Sequence, residues 1–330
     1  MRLSQSHLSV CQKDRKITNF TFFLEHDKIK MYNVLCIQGK GFESMREIRE
    51  KAFAKINLGL DVIRRREDGY HEVRMIMQNL QLYDQIRLYQ TGKKGIKGEC
   101  NLPWLPVNEK NLVYKAAKLM MDEFQIEQGI FIKLEKKIPS AAGLAGGSSD
   151  AAAVMRGLNR MFDLGLSDAE LARYAVRIGA DVPYCIKGGT ALAEGIGEKL
   201  TFLPPAPKCF ILLAKPDADV STKFVYTNLK ADQLVHHPDI DGQLKALEDK
   251  DLNTLAEKME NVLESVTAVQ YPVVEKIKQD MVRYGALNAM MSGSGPTVFG
   301  IFDEEEKLQY AYRKMKEKRW CRQLFMTKIR

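Results

Sequence analysis

The chain has no Cys-x-x-Cys pair and no Cys/His cluster among its six cysteines, which stand at positions 11, 36, 100, 185, 209 and 321. That spacing excludes the common zinc and thiol-redox sites and fits structural thiols in a reducing, cytoplasmic setting. No apolar run comes near the roughly 20 residues that a membrane span requires. Two common nucleotide signatures are also missing. There is no Gly-x-x-x-x-Gly-Lys-Ser/Thr string, and Gly143, Gly146 and Gly147 do not fit Gly-x-Gly-x-x-Gly spacing. Residues 1–44 lack the uninterrupted apolar segment of a secretory signal, and Asp14, Glu25, Asp27 and Glu43 spoil the acid-poor composition of a plastid transit peptide. They also show no sustained period, so we expect a disordered extension, or a true start at Met45. The net charge of +8 lacks an even spread: residues 307–330 carry nine Lys and Arg against one Glu, and residues 1–44 carry seven against four acidic. The stretch between is net acidic, and the terminal cations read as the wet face of a last helix, so no nucleic-acid partner is expected.

What is present fits a soluble globular protein of two domains: 330 residues, 45% hydrophobic and 28% charged. From Met45 the periodicities predict strands at about 46–63, 71–79 and 84–90, a helix at 110–125, a strand at 130–137 and an alanine-rich helix at 151–162. “LSDAELARYAVRIG” follows, with Ser167 and Glu170 as a capping box and Gly179 as the stop. After strands at 189–195 and 208–215 come helices at 221–229, 251–264 and 272–284, strands at 287–292 and 297–302, a helix at 304–318 and a strand at 320–328. Pro204, Pro205 and Pro207 mark the domain boundary, giving 45–205 and 206–330, the second a split β-α-β sandwich.

Chemistry concentrates in three patches. “KKIPSAAGLAGGSSDAAA” places three glycines and three serines between a strand and a helix, with Ser148, Ser149 and Asp150 as N-cap candidates. Bare backbone at a helix N-terminus is a ready anion site, and the same composition also suits a flexible linker. “AKINLGL” holds Lys55 and Asn57; “GADVPY” holds Asp181 between Gly179 and Pro183. Taken singly, the lysine reads as exposed and the aspartate as a helix cap. Together with a phosphate loop they fill the remaining roles of phosphoryl transfer, a cation at the transferred group and a carboxylate for the acceptor hydroxyl.

“PSAAGLAGGSSDAAA” resembles the Pro-x-x-x-Gly-Leu-x-x-x-Ser-Ser-x-Ala-Ala loop of the GHMP kinases, named for galactokinase, homoserine kinase, mevalonate kinase and phosphomevalonate kinase. “MMSGSGPTVFGIF” resembles their C-terminal glycine motif. “AFAKINLGLDVIRRREDGYHEVRMIMQNLQLYDQI” and “GADVPYCIKGGTALAEGIGE” are similar to the branch whose acceptor is a cytidine-diphosphate-linked alcohol, and the match runs in order from about residue 45 to 302.

The resemblance implies an α+β GHMP kinase fold: an N-terminal domain like the second domain of ribosomal protein S5, a ferredoxin-like C-terminal domain, and an active site between them. It implies that the loop of Pro139, Ser140, Ala141, Ala142, Gly143, Leu144, Ala145, Gly146, Gly147, Ser148 and Ser149 embraces the phosphates of ATP, with Ser149 also a ligand of Mg²⁺. Asp181 would be the general base for the acceptor's 2-hydroxyl, with Lys55 beside it and Asn57 fixing the acceptor. Tyr70 would stack on cytosine and His71 meet its polar edge, with Thr222, Tyr226, Gly293 and Ser294 completing the substrate side. Many family members carry glycine where Ala145 stands, so Ala145 is expected to have negative φ. The oligomeric state stays open. A mevalonate- or homoserine-type kinase and a non-catalytic ligand sensor are the competing readings; Lys55 and Asp181 argue against the sensor.

Overall fold

The computed structural model describes residues 46–330 and, ahead of them, the backbone of β1 (Asn19–Glu25) and β2 (Lys28–Val34), which pair antiparallel as a hairpin the sequence periodicity does not announce. The remaining part of the expectation for residues 1–44 lies outside the described residues. Arg46–Arg330 is one unit.

Its first sheet has six strands, β3 (Glu47–Arg65), β4 (His71–Thr91), β5 (Ile96–Cys100), β6 (Gly129–Glu135), β7 (Thr190–Gly195) and β8 (Lys199–Phe202). The order is β5-β6-β4-β7-β8, with β3 also on β4. β4 organises the sheet: it pairs with β6 through Gln85–Thr91, with β7 through Val73–Gln78, and with β3 over nearly its whole length. Sequence periodicity suggests two strands here, 71–79 and 84–90, whereas β4 runs unbroken through 80–83, with the polar pair Gln78 and Asn79 buried within it. Both side chains are hydrogen-bonded, Asn79 Nδ2 donating to the Ala54 carbonyl and Asn79 Oδ1 accepting from the Gly189 amide, so the strand continues through them.

α1 (Leu112–Glu123), α2 (Gly146–Met161), α3 (Asp168–Ala175) and α4 (Val182–Lys187) accompany this sheet. Asn111 caps α1, and Ser167 with Glu170 forms the expected capping box of α3. β3 contributes to two cores although the residues concerned are all even-numbered, and its register shifts at Phe53/Lys55 and Asn57/Gly59 interrupt the strict alternation that would put them on one face. Ala52, Leu60 and Val62 share a core with the alanines of α2, whereas Ala54, Ile56 and Leu58 pack with Ile211, Leu213 and Phe299 of the second sheet.

That second sheet is built from β9 (Phe210–Pro216), β10 (Asn288–Met291), β11 (Val298–Phe302) and β12 (Cys321–Lys328), ordered β10-β11-β9-β12 and wholly antiparallel. Between β9 and β10 run α5 (Thr222–Asn228), a 3₁₀ turn (Ala231–Gln233), α6 (Ile240–Glu248), α7 (Leu252–Glu257), α8 (Glu264–Gln270) and α9 (Val273–Arg283), and α10 (Glu305–Lys318) precedes β12. The expected helix over 251–264 is instead α7, an irregular bridge and the start of α8. The bridge is used for pairing: Leu60 donates to the Glu260 carbonyl and accepts from the Val262 amide, which ties the second half of the chain to β3.

Candidate active site

β3 carries Lys55 and Asn57 two residues apart, so they project from one face of the strand. Bulges at Phe53/Lys55 and Asn57/Gly59 bracket them and re-aim both side chains. Both are buried; Lys55 Nζ donates to Asn57 Oδ1 at 2.8 Å, and Asn57 Nδ2 faces the Met75 sulfur at 3.2 Å. The Lys55 backbone amide donates to the Leu144 carbonyl, fastening the strand to the glycine loop.

The loop leaves β6 under the control of a buried charge cluster. Asp84 Oδ1 accepts from the amides of Lys137 and Ile138, and the Lys136 ammonium lies between Asp84 and Asp150 Oδ2. Burial, reinforced by Asp84 and opposed by Lys136, raises the Asp150 pKa, and its Oδ1 has no partner. Beyond Pro139 the chain turns through three left-handed residues, Ala141 (φ 50), Gly143 (φ 73) and Ala145 (φ 51), and α2 starts at Gly146 with no side-chain cap. The expectation of negative φ at Ala145 is thus corrected: an alanine takes a left-handed position that ordinarily favours glycine. Ser148, Ser149 and Asp150 lie inside the first turns of α2, and the uncapped N–H groups of a 16-residue helix point its positive end at the cleft.

The C-terminal glycine motif closes the other wall. Ser292 Oγ donates to the Gly143 carbonyl at 2.9 Å, and a Cβ on Gly143 would lie 2.0 Å from the Ser292 carbonyl oxygen. Two glycine-rich segments 149 residues apart in sequence therefore meet backbone to backbone. Gly293 (φ 58) faces Gly143 and Asn57, and the Ser294 and Thr222 hydroxyls are hydrogen-bonded at 2.9 Å.

One cleft of about 1020 Å³ collects Lys55, Asn57, Tyr70, His71, residues 139–148, Asp181, Thr222, Tyr226, Gly293 and Ser294. Asp181 stands at the N-terminus of α4 yet makes no capping hydrogen bond, so its carboxylate is not consumed by the helix. No ion pair joins it to Lys55 among the described residues: the ammonium is turned to Asn57. Tyr70 is 61% exposed on the turn between β3 and β4. His71 is buried against Tyr226, ring centroids 5.2 Å apart, and burial together with the neighbouring Arg65 cation lowers its pKa. Burial raises the Tyr226 hydroxyl.

Of the predicted site residues only Ser149 is missing from the cleft. It is buried, and its hydroxyl donates to the Phe53 carbonyl at 2.6 Å, which binds α2 to β3. With the helix beginning at Gly146, this position faces the sheet rather than the loop.

The GHMP kinases N terminal domain family model matches residues 111–189, and the GHMP kinases C terminal model matches residues 243–319. Over 279 residues the chain is 54% identical to the 4-diphosphocytidyl-2-C-methyl-D-erythritol kinase of Lachnoclostridium phytofermentans, covering 84% of this chain and 96% of that protein. It belongs to the 4-diphosphocytidyl-2-C-methyl-D-erythritol kinase family. A crystal structure of 4-(cytidine 5'-diphospho)-2C-methyl-D-erythritol kinase superposes with TM-score 0.74 at 30% identity, covering 86% of this chain and 99% of that one. Homoserine kinase from Cytophaga hutchinsonii shares the fold, with TM-score 0.70 at 23% identity over 87% of this chain and 95% of that one.

In this kinase the cleft also contains residues that sequence motifs did not single out, among them Arg65, Lys110, Asn111, Lys136 and Lys223. The usable signal was local for the buried cluster: Asp84 sits within the apolar run of “LQLYDQI”, and Lys136 stands three residues before Pro139. A charge inside a strand otherwise destined for the core needs a partner, but which partner depends on the fold.

Proposed function

We infer that this chain transfers the γ-phosphoryl group of ATP to the 2-hydroxyl of 4-diphosphocytidyl-2-C-methyl-D-erythritol, in the methylerythritol phosphate route to isoprenoids. The observation that carries the residue roles is the convergence of an uncapped carboxylate, a buried lysine, an anion-binding loop and an aromatic wall on one cleft. Asp181 takes the proton of the acceptor hydroxyl as the oxygen attacks phosphorus. Its freedom from helix capping leaves both oxygens for that work. Lys55, steadied by Asn57, offsets the charge that develops on the transferred group, and the amides at the start of α2 hold the donor phosphates. His71 is a neutral ring at physiological pH, able to meet the polar edge of cytosine, and Tyr70 supplies a face for stacking.

Among the described residues no three His, Cys, Asp or Glu side chains converge on a point, and the Ser149 hydroxyl is turned to the sheet, which does not fit Ser149 as a ligand of Mg²⁺. Mg²⁺ would arrive bound to the ATP phosphates, where it would offset their charge. The two sheets are read as two domains, 45–205 and 206–330, with a cytoplasmic bacterial setting and no nucleic-acid partner belonging to the same reading. No helix among the described residues is long and apolar enough to cross a membrane.

The deciding experiment is ADP release by the full chain with a panel of alcohols. Turnover of the cytidyl alcohol with none of homoserine or mevalonate is expected. Turnover of either of those in its place would overturn the substrate assignment, and no turnover with any alcohol would return the sensor reading.

A further inference from the structure

Three side chains spaced three residues apart, Asn261, Glu264 and Thr267, converge on one short piece of backbone. Asn261 Nδ2 donates to the carbonyls of Met291 and Gly293, at 2.9 and 2.8 Å. Glu264 Oε1 accepts from the Met291 amide at 2.6 Å, while its other oxygen is paired with Lys278. Thr267 Oγ1 donates to the Ser294 carbonyl at 3.2 Å. Asn261 and Thr267 are almost fully buried, and burial raises the Glu264 pKa. These bonds therefore form in a medium where a lost partner leaves a costly orphan group.

The segment they hold is the turn of the C-terminal glycine motif. Within it Ser292 N donates to the Thr297 carbonyl and Gly295 N to the Ser292 carbonyl. Among the described residues the amides of Gly293 and Ser294 have no protein acceptor, and both residues line the cleft. Successive free amides around a glycine of positive φ form a concavity suited to an anion. At its other end the template is tied to the strand that carries Lys55 and Asn57, through the pairing of Asn261 with Leu60.

We propose that Asn261, Glu264 and Thr267 are positioning residues that fix the Ser292–Gly295 turn so that its two free amides meet the phosphoryl group in flight. The inference rests on the phosphoryl-transfer reading above. It assigns to the second half of the chain a part in the chemical step: the helix α2 amides hold the donor side, and the Gly293 and Ser294 amides, set from behind by three buried side chains, face the group as it moves toward the acceptor. Because the amides are aimed rather than supplied by these residues, loss of a template bond shifts the turn without removing any group that touches substrate.

The test uses the full chain with ATP and the cytidyl alcohol. Thr267→Val keeps the shape and removes only the bond to Ser294. It should lower kcat roughly 10- to 100-fold, as sub-ångström to ångström misplacement does, with KM for both substrates changed less than about threefold. Thr267→Ser, which restores the hydroxyl, should recover most of the rate. Asn261→Ala and Glu264→Ala should act in the same direction as Thr267→Val. Ser265→Ala is the control: Ser265 Oγ bonds the Val262 carbonyl in the same segment and does not reach the turn, so kcat should stay at the wild-type value. Wild-type kcat in Thr267→Val, or an equal loss in Ser265→Ala or Thr267→Ser, would overturn the proposal while wild-type turnover still upheld the phosphoryl-transfer reading. No turnover by the wild-type chain would instead overturn that reading.

Discussion

Replacing Gly143 by alanine separates the fold's demand for glycine in the loop from the ligand's. The residue has φ 73, and its added Cβ would stand 2.0 Å from the Ser292 carbonyl oxygen and 3.1 Å from the Ser292 carbonyl carbon. Both obstacles are backbone, so no rotamer change relieves them. The left-handed conformation costs a non-glycine residue roughly 1–2 kcal/mol. Opening the contact also strains the Ser292 hydroxyl bond to the Gly143 carbonyl, worth about 1 kcal/mol. A loss of about 2–3 kcal/mol follows, seen as a fall in Tm of roughly 4–12 °C for a chain of this size. Because the same contact seats the phosphate loop against the second glycine motif, kcat/KM for ATP should fall about 100-fold. Gly147→Ala is the counterpart: its Cβ would meet only the tip of Leu112, at 3.4 Å. An alanine in the helix should leave stability unchanged or raise it by up to about 1 kcal/mol. Gly147 nevertheless lines the cleft, so KM for ATP should rise with stability intact. Calorimetry and steady-state kinetics on the two variants decide the matter. Wild-type Tm and ATP kinetics in Gly143→Ala would refute the claim that the loop is shaped by contact with Ser292.

Asp181→Asn should lower kcat by about 10²–10⁴-fold with the Tm kept, since the side chain caps nothing; near-wild-type turnover would remove it from the mechanism. Tyr70→Ala should raise KM for the cytidyl alcohol roughly 10- to 150-fold, the equivalent of about 1–3 kcal/mol of stacking, and leave KM for ATP unchanged; equal effects on both substrates would reduce Tyr70 to a turn residue. For His71 the folded pKa is lowered, by burial first and then by Arg65, with Asp232 opposing. The unfolded chain therefore takes up a proton that the native state refuses, so stability is full above about pH 6.5 and declines as pH falls through the window beneath it. Denaturant titrations of His71→Asn should show a shallower decline there, and an unchanged slope would count against a buried neutral imidazole.

Much of this protein was legible in one dimension because its signals are local. Lys55 and Asn57 share a strand face by the period of two, Ser167 and Glu170 announce α3 by their spacing, and the loop between Pro139 and Ala151 declares bare backbone at a helix start. The alternation of elements after Phe210 likewise fits the antiparallel sheet ordered β10-β11-β9-β12. Local pattern could not say where α2 begins, and that offset of five residues turned Ser149 from the cleft to the Phe53 carbonyl. Nor could it say that Asp181, at a helix start, would leave its carboxylate uncommitted. The remaining decisions belong to pairs that are distant in sequence: Gly143 against Ser292, Asp84 with Lys136 and Asp150, and Asn261 and Thr267 beneath the second glycine turn. Residue type carries helix and strand preference over a few neighbours, but whether a buried carboxylate meets a lysine or a carbonyl meets a bare glycine is settled by which distant segments the fold brings together, and only tertiary structure holds that information.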